Sequence, residues 1–161
     1  MKLQYLNPAV ALVLIAVTGF AVNVVLLWDW ELDDALIYAR YINNFIEGNG
    51  LVFNPDNKVN GLTSPVFAYL SILVAPFVGD TKDAIMLVSA LATVGSMLVF
   101  YMLLSRFFIE EKAAVISALL ATMAAASYVN LGMETSLFVL LFGVSLYCCL
   151  LYTSPSPRDR G

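Results

Sequence analysis

At 161 residues, 61% hydrophobic and only 12% charged, the chain is far more apolar than an ordinary soluble domain. Its net charge is −4 and it has no basic cluster, so nucleic-acid binding has no support. It has no histidine, and its two cysteines, Cys148 and Cys149, are adjacent, so no histidine triad, histidine-based zinc site or disulfide framework can be read from it.

The first apolar stretch runs from Pro8 to Trp28, broken only by Thr18, Gly19 and Asn23. Its length of about 20 residues matches a bilayer, whereas the apolar core of a signal peptide has about 7–15. The expectation is an uncleaved first span over residues 9–27. Lys2 then lies inside, and Trp28 and Trp30 sit in the outer headgroup layer that indoles favour.

A polar island follows, "WDWELDDALIYARYINNFIEGNGLVFNPDNKVNGLTSP", from Trp28 to Pro65. Eight of the twelve acidic residues lie between Asp29 and Asp83, beside one span. Residues 34–46 read as a short helix along the membrane surface, with Tyr38, Tyr41, Ile42 and Phe45 on one face. Gly48 is its expected stop. "EGNG" and "NPDN" carry turn chemistry around a short extended run, Leu51-Val52-Phe53. "GLTSP" leads into apolar residues 66–78, with Thr63 and Ser64 as caps and Pro65 in the first helical position. About 13 apolar residues are too few to span, so this helix is expected to be interfacial or re-entrant.

Further spans are expected over 84–104, 113–129 and 135–148. In the second of these, Ser117, Thr122 and Ser127 suit close helix packing. Lys2, Arg106 and Lys112 lie in short polar segments, which marks the cytoplasmic side. A single span, 84–104, then separates the acidic loop from Arg106, and the next span leads back out. "NLGMET", Asn130 to Thr135, therefore falls on the same outer face as Asp33 and Asp34. The expected fold is an all-α polytopic membrane protein with a long outer first loop over 28–83, since helices satisfy their own backbone in lipid.

"CLLYTSPSPRD", Cys149 to Asp159, looks like a translated sequencing-library adapter. On that reading residues 149–161 stand outside the fold. Residues 1–148 are then the N-terminal part of a longer transmembrane domain.

Few residues remain to carry chemistry. Asp33 and Asp34 open the surface helix, where an aspartate can simply cap free N–H groups, worth about 0.5–2 kcal/mol. An ionised carboxylate there can also take a proton from an acceptor hydroxyl or hold a divalent cation. Arg40 lies seven residues after Asp33, on the same helix face. It suits a headgroup contact, an ion pair or a phosphate clamp; Lys58 is a weaker version. Glu134 sits at the outer end of a span, avoiding the cost of about 2.5–3.5 kcal/mol for a charge at the bilayer centre.

Several motifs recur together in order and spacing. They are Asp33-Asp34, Arg40-Tyr41, Gly48, Gly50-Leu51-Val52, Asn54, Gly61, Thr63-Ser64-Pro65, and Gly132 with Glu134-Thr135. This series resembles the first periplasmic loop of polytopic glycosyltransferases of the C superfamily. It looks closest to bacterial proteins similar to terminal arabinofuranosyltransferases and the related flagellar-motor-control family. Asn60 and Leu62 depart from the pattern, which has an acidic and an aromatic residue there. The resemblance implies transfer of a sugar from a polyprenyl-phosphate donor to a glycan or lipid acceptor at the outer face of the bacterial inner membrane. It implies Asp33 or Asp34 as base, and Arg40, Tyr41, Asn54, Lys58, Thr63, Ser64 and Glu134 as substrate contacts. No cofactor is implied beyond a divalent cation that Asp33 and Asp34 could hold. The competing reading is a non-catalytic polytopic protein, a lipid-carrier translocator or motor-associated scaffold, using the same acidic loop for binding.

Overall fold

The computed structural model describes residues 8–29, 32–56, 61–109, 112, 115–116 and 131–153. Their long regular elements are all helices, in the order α1 (Pro8–Leu26), α2 (Asp33–Ile46), α3 (Pro65–Val78), α4 (Thr81–Leu104) and α5 (Thr135–Thr153). Among the described residues, Thr81–Leu104 and Thr135–Tyr152 are long and apolar enough to cross a membrane. The span expected over 113–129 lies outside the described residues, save Val115 and Ile116, and so does Trp30.

The helix starts follow from local chemistry. Ser64 caps α3, its Oγ accepting from the Phe67 amide at 3.3 Å, and Pro65 takes the first turn, where its missing N–H costs nothing. Fourteen residues give α3 a length of about 21 Å, well short of a hydrocarbon core of about 30 Å. Gly79, with φ of 86°, ends it, and Asp80 caps α4 by accepting from the Lys82 amide at 3.1 Å. This cap starts α4 at Thr81, one polar turn before its apolar pattern begins.

α4 and α5 pack side by side and parallel. Thr93 donates to Ser136 at 3.0 Å, Gly95 faces Leu140, Gly143 faces Val99, and Arg106 reaches the Tyr147 hydroxyl at 3.4 Å. These pairings rise together along both helices. A Cβ on Gly95 or Gly143 would stand 3.1 or 3.2 Å from its neighbour, so missing side chains set the approach. α1 meets the assembly at the other end of its own run. The Trp28 indole donates to Asp83 at 2.7 Å, and Ala16, Phe20 and Val24 share a cluster with Met86 and Met97. α1 therefore runs antiparallel to α4.

α2 rests on the other helices. Tyr38, Ala39 and Ile42 join Phe67, Ala68, Ile85, Val88, Ala92 and Leu137 in one core. Phe45, placed on the same face by its spacing, is 39% exposed, and its ring meets Tyr69 edge-on. Asn44 is buried in its place because its amide is consumed by the Val52 and Phe53 carbonyls, at 2.7 and 2.9 Å. The same bonds hold Leu51-Val52-Phe53 against α2, and the Val52 amide turns back to the Gly50 carbonyl at 2.9 Å. Gly48, with φ of 86°, follows the last turn of α2 as expected.

Gly132 connects the beginning of α5 to this core. Its φ is 82°, its amide donates to Ser89 Oγ at 3.1 Å, and a Cβ there would stand 3.1 Å from the Ala35 methyl. Gly48 has the same backbone sign with nothing within 4 Å. Gly48→Ala is expected to cost only the left-handed penalty, about 1–2 kcal/mol. Gly132→Ala should add overpacking of about 1–3 kcal/mol. Denaturant unfolding of the two variants in the same detergent checks the difference.

Candidate functional site

Asp33 and Asp34 are the first two residues of α2 and both are exposed. The N-cap is Leu32, and no side chain caps the helix, so neither aspartate acts as the expected cap. Both remain in the first turn, where a negative charge complements the helix dipole.

The register of α2 sends the two aspartates to different neighbours. Asp33 shares a face with Arg40, and both line an open groove of about 780 Å³ that also takes in Lys82. Arg40 is held there by the loop after α2. Its Nε donates to the Phe53 carbonyl at 2.8 Å, its Nη2 to Asn54 Oδ1 at 3.2 Å, and its guanidinium lies 5.0 Å from the Phe53 ring centre. The resemblance thus named two residues, Arg40 and Asn54, that the structure brings into contact. Lys58 lies outside the described residues.

Asp34 shares its face with Tyr38 and Tyr41 by helical spacing. The Tyr41 hydroxyl accepts from the Gly61 amide at 2.8 Å. The Tyr38 hydroxyl accepts from the Ser64 amide at 3.0 Å and lies 2.7 Å from Thr63 Oγ1. Thr63 in turn donates to Glu134 Oε1 at 2.6 Å. Because a threonine hydroxyl has one proton, the direction is fixed: Tyr38 O–H to Thr63, Thr63 O–H to Glu134. Three of the sequence-named residues, Thr63, Ser64 and Glu134, therefore meet at one point, across 71 positions of chain between Thr63 and Glu134. With Gly132 against Ala35, the "GMET" segment lies beside the start of α2.

Tyr38 is the member that sequence reasoning placed only on one face of the surface helix. The available signal was its position on the buried face of an amphipathic helix, since a buried tyrosine hydroxyl ordinarily finds a partner. The Trp28–Asp83 bond was likewise not foreseen; together with Asp29 and Asp80 these residues line a cleft of about 240 Å³. Among the described residues no three carboxylate, cysteine or histidine groups converge to hold a metal.

The family model described as dolichyl-phosphate-mannose-protein mannosyltransferase matches residues 63–158, more than half of the chain. The chain therefore belongs to this family, one of the membrane glycosyltransferase families of the C type. The match runs past Cys148, and α5 continues to Thr153. The chain is also similar to a terminal beta-(1->2)-arabinofuranosyltransferase of Mycobacterium tuberculosis, at 39% identity over 69 residues. That stretch is 43% of this chain and 11% of the relative's length. No solved structure matches the chain.

Burial raises the Tyr38 pKa above its ordinary 10.0, with the nearby Glu134 charge adding to the rise and the Thr63 bond opposing it. Below about pH 10 both folded and unfolded tyrosine keep the proton, and the stabilisation is fully present. Above that, the unfolded chain ionises first, so stability falls as pH climbs through the raised pKa. Thermal melts between about pH 9 and pH 11 should show a loss that Tyr38→Phe reduces.

Proposed function

We propose that the chain carries the outer-face half of a site that transfers a sugar from a polyprenyl-phosphate donor to a glycan or lipid acceptor of the cell envelope. The observation that carries this reading is the meeting of Glu134 with Thr63, beside Gly132 against Ala35. Gly132 rests on Ala35, the residue that follows the two aspartates at the head of α2.

The chemistry assigned to these residues is a single displacement. Asp33 or Asp34 takes the proton from an acceptor hydroxyl as its oxygen bonds to the anomeric carbon. The bond from that carbon to the phosphate oxygen breaks, and the phosphate leaves with the electron pair. Attack opposite the leaving group inverts the anomeric centre. Arg40, held by Phe53 and Asn54 on the Asp33 face, is the charged group that would meet the phosphate. Its pre-set orientation favours catalysis, because no reorganisation is needed when the leaving charge develops. The hydrocarbon of such a donor accounts for an embedded site. In this reading the membrane is the bacterial inner membrane, with the start of α2 facing outward.

The test uses the full-length protein in membranes with a radiolabelled polyprenyl-phosphate sugar. Asp33→Asn or Asp34→Asn should lower transfer by about 10²–10⁴-fold, the typical contribution of a general base, with thermal stability retained. Unchanged transfer in both variants would remove the base assignment and favour a binding or scaffold role for the loop. Arg40→Lys keeps the charge but loses the planar fork, and should lower kcat about tenfold or more.

A further inference from the structure

The start of α2 is not set locally. Leu32 is the N-cap, no side chain caps the helix, and Asp33 and Asp34 are exposed. The place of the two aspartates is therefore decided by what holds the residues just after them. Two contacts with the segment that opens α5 do so, about one helical turn apart. Gly132 stands against Ala35, where a Cβ would come within 3.1 Å of the methyl. Glu134 is joined to Tyr38 through Thr63, at 2.6 and 2.7 Å.

Tyr38 is the junction of these contacts. Its ring is buried, edge-on to Phe67 at 5.1 Å. Its hydroxyl accepts from the Ser64 amide at 3.0 Å and donates to Thr63, whose single proton goes to Glu134 Oε1. One hydroxyl thus joins α2 to the entry of α3 and to the entry of α5. On the next turn Tyr41 reaches the same loop, accepting from the Gly61 amide at 2.8 Å. Ring packing is non-directional and survives loss of the Tyr38 hydroxyl. The hydrogen bonds have a preferred length and angle, so they set where α2 lies against the entry to α5.

We propose that Tyr38 is a positioning residue for transfer: through Thr63 and Glu134, its hydroxyl holds the first turn of α2, and with it the aspartate that acts as base, in place against the entry to α5. The assignment rests on the aspartate base proposed above. In this role Tyr38 touches neither substrate nor reacting atoms. A general base must lie within hydrogen-bond reach of the proton it takes, about 2.6–3.2 Å, so a small shift of α2 is felt in the rate before it is felt in binding.

The experiment uses the full-length protein in membranes with the radiolabelled polyprenyl-phosphate sugar. Tyr38→Phe keeps the ring against Phe67 and should lower kcat about 10–100-fold with KM within about twofold of wild type. Thr63→Val should give a similar loss, and Thr63→Ser, which keeps the hydroxyl, should stay within about threefold of wild type. The deciding measurement is made in the background of the aspartate variant that loses transfer. There Tyr38→Phe should change the residual rate by about threefold or less, because groups that act as one unit lose their effect together. A tyrosine that only stabilises the fold would lower the rate alike in both backgrounds. That result, or an unchanged kcat in Tyr38→Phe while an aspartate variant loses transfer, overturns the positioning role and leaves the base assignment standing. Transfer retained in both aspartate variants overturns the base assignment and the positioning role with it. Should Tyr38→Phe fail to fold, Thr63→Val against Thr63→Ser decides, and equal rates in the two overturn the proposal.

Discussion

α4 and α5 point the same way and touch along their length. The contact is close because Gly95 and Gly143 present no side chain where Leu140 and Val99 arrive. In lipid there is no hydrophobic gain from bringing two apolar helices together, so close van der Waals approach and interhelical hydrogen bonds carry the association. Thr93 to Ser136 supplies one such bond. The consequence is positional. By Leu131 the chain is back at the end of the bundle where α4 began, and Gly132 and Glu134 reach α2 and the entry to α3.

Around that fixed end, polar groups are spent in a definite order. Asn44 ties down the loop after α2, and that loop in turn holds Arg40 through Phe53 and Asn54. On the other side, Tyr38 and Thr63 pass their protons toward Glu134. One helix thus presents a cationic group on one face and an acceptor-terminated chain on another. For the donor proposed above, the guanidinium is the group suited to its phosphate. At the head of α2, Asp33 shares the face of Arg40 and Asp34 that of Tyr38, both exposed and in the first turn.

Much of this architecture was legible in the sequence, for reasons that can be named. Ser64-Pro65 and Gly79 punctuate α3 through local chemistry alone, so that helix appears where its sequence signals it. The parity of positive residues led to the same meeting of "GMET" with the outer loop that Gly132 and Glu134 display. What escaped depends on tertiary contacts. The hold on Leu51-Val52-Phe53 comes from Asn44, which claims the Val52 and Phe53 carbonyls. Phe45 falls beyond the reach of the core that swallows Ile42. Asp33 and Asp34 stand one position too late to cap, because Leu32 occupies the junction. The bonds of the Tyr38 hydroxyl escaped because its partners lie outside α2.

The claim on which the account turns is that Thr63 and Glu134, distant in sequence, act as one unit. A double-mutant cycle on unfolding free energy, with Thr63→Val, Glu134→Gln and the double variant, measures this directly. The account predicts non-additivity of about 1–2 kcal/mol, the scale of a hydrogen bond to a charged group. Effects that simply add would mean that the two residues do not meet, and the convergence of the two motifs would be contradicted.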